Sequence, residues 1–263
     1  MSRNTFALWA FGDAHVGTDL ARGRESLSES LRTAERGGDA GGPPFAWDIA
    51  IDIGDMSGGQ DVPDDEEGAE VVRQMAALEE HRREDIYPIC GNHDRSGLDE
   101  EPAWWWRKWV DPTGEHAEFS GVDATQRPYA IEGTWERYCF EVGNILFLLM
   151  SDTNEPSQRM GRGELGGNPA GVVARETFDW WCAMVAAHPD HIIVSAHHYM
   201  LKETTVASGD WEGMKKAEAG QWQSNYHGYK PQGAPVGASY LYFVGGVPDS
   251  GAFEHFLEAH PGA

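Results

Sequence analysis

The chain has 263 residues, a formal net charge of −23, and hydrophobic residues make up 40% of it. Such a length makes one large domain or two small ones and allows about three quarters of the unfolded surface to be buried. The acidic surplus excludes a generic binder of nucleic-acid backbone, because nothing offsets its repulsion of phosphates, and three cysteines in a chain this long argue against a disulfide framework. No segment approaches the ~18 to 20 consecutive apolar residues of a membrane span. No basic stretch leads into an apolar run at the start. The expectation is a soluble, cytoplasmic chain with no membrane partner and buried thiols at Cys90, Cys139 and Cys182.

Thr5 to Phe11 reads as a buried strand, followed by a helix over 20–36 and a Gly/Pro loop from Gly37 to Pro44. A second strand over 47–53 leads through an acidic loop into a helix from Glu67 to Arg83, with Val71, Val72, Met75 and Leu78 as its apolar stripe. A third strand, Ile86 to Cys90, comes next. This alternation predicts a parallel sheet covered by helices. Residues 137–151 then read as a hairpin turning at Gly143-Asn144. A helix over 171–187 precedes the strand His191 to Ala196. Residues 200–240 form a long excursion rich in Gly, Lys and aromatics, and Glu254 to His260 closes as a short helix. Without repeats or a convincing linker, residues 1–263 are expected to form a single domain.

The chemistry sits in the short motifs at the ends of the apolar strands. The first strand runs into Gly12-Asp13-Ala14-His15 and the second into Gly54-Asp55. The third runs into Gly91-Asn92-His93-Asp94 and the strand at 191–196 into His197-His198. Open α/β sheets build their sites at the C-terminal ends of strands, and each of these ends delivers oxygen or imidazole ligands. Asp13 and His15, two apart, would face the same side of an extended chain. Either aspartate alone could equally be a turn or cap residue; the ordered set is what points to metal.

Asp-x-His, Gly-Asp, Gly-Asn-His-Asp and a strand-terminal His resemble, in order and over most of the chain, the calcineurin-like metallophosphoesterases, which include purple acid phosphatases and cyclic-nucleotide phosphodiesterases. The resemblance implies an α/β fold of two packed mixed sheets flanked by helices, a four-layer αββα sandwich. It implies a binuclear centre of two ions (Mn, Fe or Zn) in which Asp55 bridges, Asp13 and His15 bind the first ion, and Asn92 and His197 bind the second. His198 would then be a packing or supporting residue. His93 would act as the general acid on the leaving oxygen, with Asp94 orienting its imidazole. The implied reaction is hydrolysis of a small phosphomonoester or phosphodiester, nucleotide-like substrates included, by a hydroxide held at the metals.

The family's Gly-His-x-His motif is absent, so the expectation is a chain truncated just before it, with a continuation that supplies it. His255, His260 and His227 are poor substitutes. The rival reading is a non-catalytic scaffold with an incomplete site. Trp104-Trp105-Trp106 and Trp109 cannot all face inward on one helix; they either pack between layers or present a stacking wall beside the metals. Gly161 to Gly166 matches Gly-x-Gly-x-x-Gly but lacks the strand and helix of a dinucleotide site. Arg159, Arg162, Lys202, Lys215, Lys216 and Lys230 are unranked candidates for phosphate contacts.

Overall fold

The computed structural model describes residues 5–39, 42–58, 62–94, 96, 100–152, 173–198, 214–216, 222–224 and 250–260. The fold is mixed α/β, with one three-stranded and one four-stranded sheet among the described residues. β1 (Leu8–Phe11), β2 (Ile49–Asp52) and β3 (Ile86–Pro88) form the first sheet, all parallel and in sequence order. The β-α-β spacing predicts this arrangement, because a parallel pair needs a crossover long enough for a helix. The crossovers are α1 (Val16–Arg22) and α2 (Ser26–Arg36) after β1, and α3 (Asp65–Met75) after β2.

The expected single helix over 20–36 is therefore two, separated at Gly23–Glu25. The second expected helix stops at Met75, well short of Arg83. Propensity alone would carry it further, but the buried Glu35 carboxylate accepts the backbone N–H groups of Glu79, Glu80 and His81. That capture satisfies a loop instead of a continued helix.

The short helices α4 (Trp104–Trp109) and α5 (Ala117–Ser120) lead into the second sheet. It contains β4 (Glu132–Gly133), β5 (Arg137–Val142), β6 (Ile145–Met150) and β7 (Ile192–His197). β5 and β6 form the expected hairpin around Gly143-Asn144, whereas β6 and β7 run parallel through the crossover helix α6 (Arg175–Ala187). Within the 200–240 stretch, β8 (Met214–Lys216) and β9 (Trp222–Ser224) pair antiparallel. Helix α7 (Ser250–Ala259) comes last. Among the described residues no helix is long and apolar enough to cross a membrane.

Three apolar cores hold these elements. Val16, Leu31, Val71, Trp105 and Trp106 pack the helices α1–α4 onto one face of the first sheet. Ile49, Ile51, Tyr87 and Ile89 of that sheet meet Tyr138, Phe140, Phe147 and Leu149 of the second. The other face of the second sheet packs Leu146, Leu148 and Met150 against Phe178, Trp181 and Phe253 of α6 and α7. Trp105 and Trp106 are fully buried, and the indole of Trp109 lies where a side chain on Gly68 would sit. These three rings therefore pack between elements; Trp104 is half-buried, its ring edge-on to His116. Cys90 and Cys139 are buried thiols, but Cys182 is only half-buried.

Candidate metal centre

Backbone hydrogen bonds tie the loops after β1 and β2 together. Asp13, His15 and Val16 donate their N–H groups to the carbonyls of Gly54, Asp55 and Met56 at 2.8–3.0 Å. Asp13, His15 and Asp55 all adopt positive φ (55°, 47° and 59°). Left-handed backbone in a non-glycine residue costs about 1–2 kcal/mol; Asp is among the residues that tolerate it best, and such strain gathers at functional sites. Asp13 and His15 thus converge through a tight left-handed coil, not through the strand alternation their spacing suggests. His15 Nε2 lies 3.7 Å from Asp13 Oδ1.

The β2 and β3 loops approach so closely that only glycine fits. A side chain on Gly54 (φ 99°) would lie 2.8 Å from the Gly91 backbone, and one on Gly91 would lie 2.3 Å from Asp55 Oδ1. This contact explains why Gly precedes both Asp55 and Asn92.

Asp55 is the hub. Its Oδ1 accepts the His93 N–H at 2.8 Å, and its Oδ2 lies 3.3 Å from His198 Nε2 and 3.9 Å from His93 Nε2. Ligand atoms of His15, Asp55 and His93 lie within 4.8 Å of one another, as do those of Asp13, Asp55 and His198. Both groups share Asp55, as a bridging carboxylate requires. Burial would raise its pKa, but His198 and His93 outweigh burial and hold it at about 2, so it stays ionised.

Two histidines show the tautomer that metal ligation needs. His15 Nδ1 donates to the Ser57 carbonyl at 2.9 Å, and His198 Nδ1 donates to the Ile53 carbonyl at 2.8 Å. Each bond turns Nε2 toward the centre, the usual arrangement for a ligating imidazole. His198 Nε2 also stands 3.0 Å from Asn92 Oδ1, so Asn92, Asp55 and His198 point donors at one region. Burial opposes charge on His198, yet Asp55 raises its pKa well above the ordinary value.

Three sequence expectations need revision. His197, expected on the second ion, does not face this cluster. Its ring stacks on Phe253 at 5.1 Å, and burial lowers its pKa to about 4. Side chains alternate along β7: Ser195 accepts the Trp181 indole N–H on the helix side with His197, while Val194 and Ala196 face the sheet–sheet core. His198, next in that alternation, reaches the site. Asp94 does not orient the His93 imidazole with its carboxylate. Oδ2 accepts the N–H groups of Asp55 and Gly91, and Oδ1 that of Ser57, so Asp94 clasps the β2 and β3 loops together. Burial and the neighbouring Asp55 charge raise its pKa to about 7. His93, expected only as an acid, stands at ligand distance in the group with His15 and Asp55.

Sequence reasoning also missed Glu67 and Asp152. Glu67 Oε1 accepts the N–H groups of Gly17 (2.9 Å) and Gly58 (2.6 Å), joining the β1 and β2 loops to α3. Asp152 is wholly buried just past β6; its position after an apolar strand is the same signal that singled out Asp13 and Asp55. Arg159, Arg162, Lys202, Lys230, His227 and the Gly161–Gly166 motif lie outside the described residues.

Neither a scan against protein-family models nor a search of curated proteins finds a match to this chain.

The two neighbouring histidines give a direct test of this geometry. If the cluster holds two ions, His198→Ala is expected to lose about one equivalent of bound Mn²⁺, whereas His197→Ala should keep both and lose roughly 1–3 kcal/mol of stability through its aromatic contact. Metal analysis and urea unfolding of the two variants separate the roles. Loss of an ion from His197→Ala alone would reverse the assignment.

Proposed function

We propose that the chain is a metal-dependent phosphohydrolase of the calcineurin-like type, with its two sheets and flanking helices forming the αββα sandwich of that family. The observation that carries this reading is Asp55, shared by two groups of converging ligands where the parallel strands end. Asp13, Asp55 and His198, with Asn92 beside them, would hold one ion; His15 and Asp55 would hold the other, with His93 beside it. The mixture of carboxylate, amide and imidazole donors suits Mn, Fe or Zn. Bound ions would acidify water and neutralise charge on the phosphoryl oxygens of a phosphomonoester or phosphodiester.

The chain's own groups do the rest. Asp55 remains a carboxylate and fixes the spacing of the two ligand groups. Glu67 and Asp94 hold the loops that carry them. His93, buried beside Asp55 and edge-on to His15 at 4.8 Å, would give a proton to a leaving oxygen. The dense local ligand set also reconciles an acidic protein with an anionic substrate, because two bound cations would dominate the field at the site.

The decisive assay measures release of nitrophenol from nitrophenyl phosphate and bis-nitrophenyl phosphate, with Mn²⁺ added and then removed by chelation. Turnover that depends on the ion is expected for at least one ester. Tight metal binding without turnover of either ester favours the rival reading of a binding scaffold.

A further inference from the structure

We infer that Glu67 is a positioning residue of this centre, the side chain that sets His15 for the ion it would hold. The inference rests on the metal reading above, but the contacts that carry it belong to the protein alone. His15 Nδ1 donates to the Ser57 carbonyl at 2.9 Å, so the direction of its Nε2 depends on where residues 57 and 58 lie. Those residues are held from α3. Glu67 Oε1 accepts the Gly58 N–H at 2.6 Å and the Gly17 N–H at 2.9 Å. Gly58 follows the residue that orients the His15 ring, and Gly17 lies two residues past His15 itself. One oxygen therefore fixes both arms of the frame around this histidine. Thr18 closes the frame: its N–H donates to the His15 carbonyl at 2.9 Å and its hydroxyl to the Gly58 carbonyl at 2.7 Å.

The two glycines show how closely these parts meet. A side chain on Gly17 would lie 2.3 Å from Glu67 Oε1, and one on Gly58 would lie 2.5 Å from the His15 carbonyl oxygen. Neither glycine has a positive φ, so each serves close approach and not backbone freedom. The carboxylate comes from a helix locked at its first turn. Asp64 caps α3 by accepting the Glu67 N–H at 2.9 Å, and its carbonyl accepts the Trp105 indole N–H at 2.6 Å. The Trp109 indole packs against the next residue, Gly68. Glu67 belongs to neither group of converging ligand atoms, so it acts on the ion through His15. Its role is that of an acceptor, which an amide oxygen fills equally well.

Two measurements on the full chain test this. In calorimetric titration of metal-free protein with Mn²⁺, Glu67→Ala should weaken the ion held by His15 by about 10–100-fold, the usual effect of a supporting residue. The other ion should change little, and Glu67→Gln should restore wild-type affinity. Asp64→Ala serves as the control for stability: it removes the helix cap and lowers the melting temperature, yet should leave both affinities as they were. In nitrogen NMR of the metal-free protein at alkaline pH, His15 should show the single Nδ1–H tautomer in wild type and Glu67→Gln, and averaged tautomers in Glu67→Ala. If Glu67→Ala does not fold, Glu67→Asp, too short to reach both N–H groups, takes its place. Wild-type affinities with an unchanged His15 ring would overturn the inference. So would equal losses in Glu67→Gln and Glu67→Ala, which would make charge the operative property, or equal losses at both ions in Glu67→Ala and Asp64→Ala. A wild-type protein that binds no Mn²⁺ would overturn the metal reading itself, and the His15 tautomer would then decide the role of Glu67 alone.

Discussion

Asp55→Ala is expected, on the proposed function, to strip the protein of both metal ions and of all measurable phosphohydrolase activity. Asp55 supplies a ligand atom to each of the two groups, and its oxygens also organise His93 and His198 through contacts of 2.8, 3.9 and 3.3 Å. Removing it takes away the only carboxylate the two groups share and leaves the His198 imidazole without its counter-charge. Asn92→Ala, by contrast, removes a donor from the His198 side alone and should retain about one equivalent. Alanine at a φ of 59° adds backbone strain of about 1–2 kcal/mol, so Asp55→Asn, which tolerates that conformation, is the needed companion. Metal analysis after dialysis reads the outcome. Wild-type stoichiometry in both Asp55 variants would remove the bridging role.

The second large effect concerns the proton. With His93 as general acid, His93→Ala should keep its metal content and lower kcat by about 10²–10⁴ for an alkyl phosphate, whose leaving alkoxide needs a proton. The loss should shrink for a nitrophenyl ester, whose leaving group departs as a stable anion. His93 also stands within ligand reach beside His15 and Asp55, which makes metal content the discriminating measurement. A variant that loses an ion along with activity on both esters would make His93 a ligand and not an acid. Retained metal with equal losses on the two esters would leave it a phosphate-binding role only.

Much of the scaffold was legible because its signals are local. Apolar runs of strand length separated by helical stretches dictate parallel β1, β2 and β3, since parallel neighbours require crossovers of that size. The motif after each strand then has one place to go, the shared C-terminal end of the sheet, and Asp13, His15, Asp55, Asn92 and His93 all lie there. The Gly143-Asn144 hairpin was equally local. Helix ends were not. α3 stops where Glu35, far upstream in the chain, captures the loop beyond it, and no window of sequence contains that contact.

By itself the sequence determined which chemical groups this protein can gather and at which end of its strands, because strand order and motif order are covalent facts. It could not determine which side of a strand meets which neighbour. His197 and His198 are chemically identical and adjacent, and a shift of one residue exchanges the faces they occupy. Only the packing of β7 between the first sheet and α7 sends His197 to Phe253 and His198 to Asp55. The same holds for Asp94. The sequence reads Asp94 as the group that orients His93, but it finds three backbone donors instead. Which role a buried carboxylate takes depends on the donors and charges that distant segments place around it, and those are set in three dimensions.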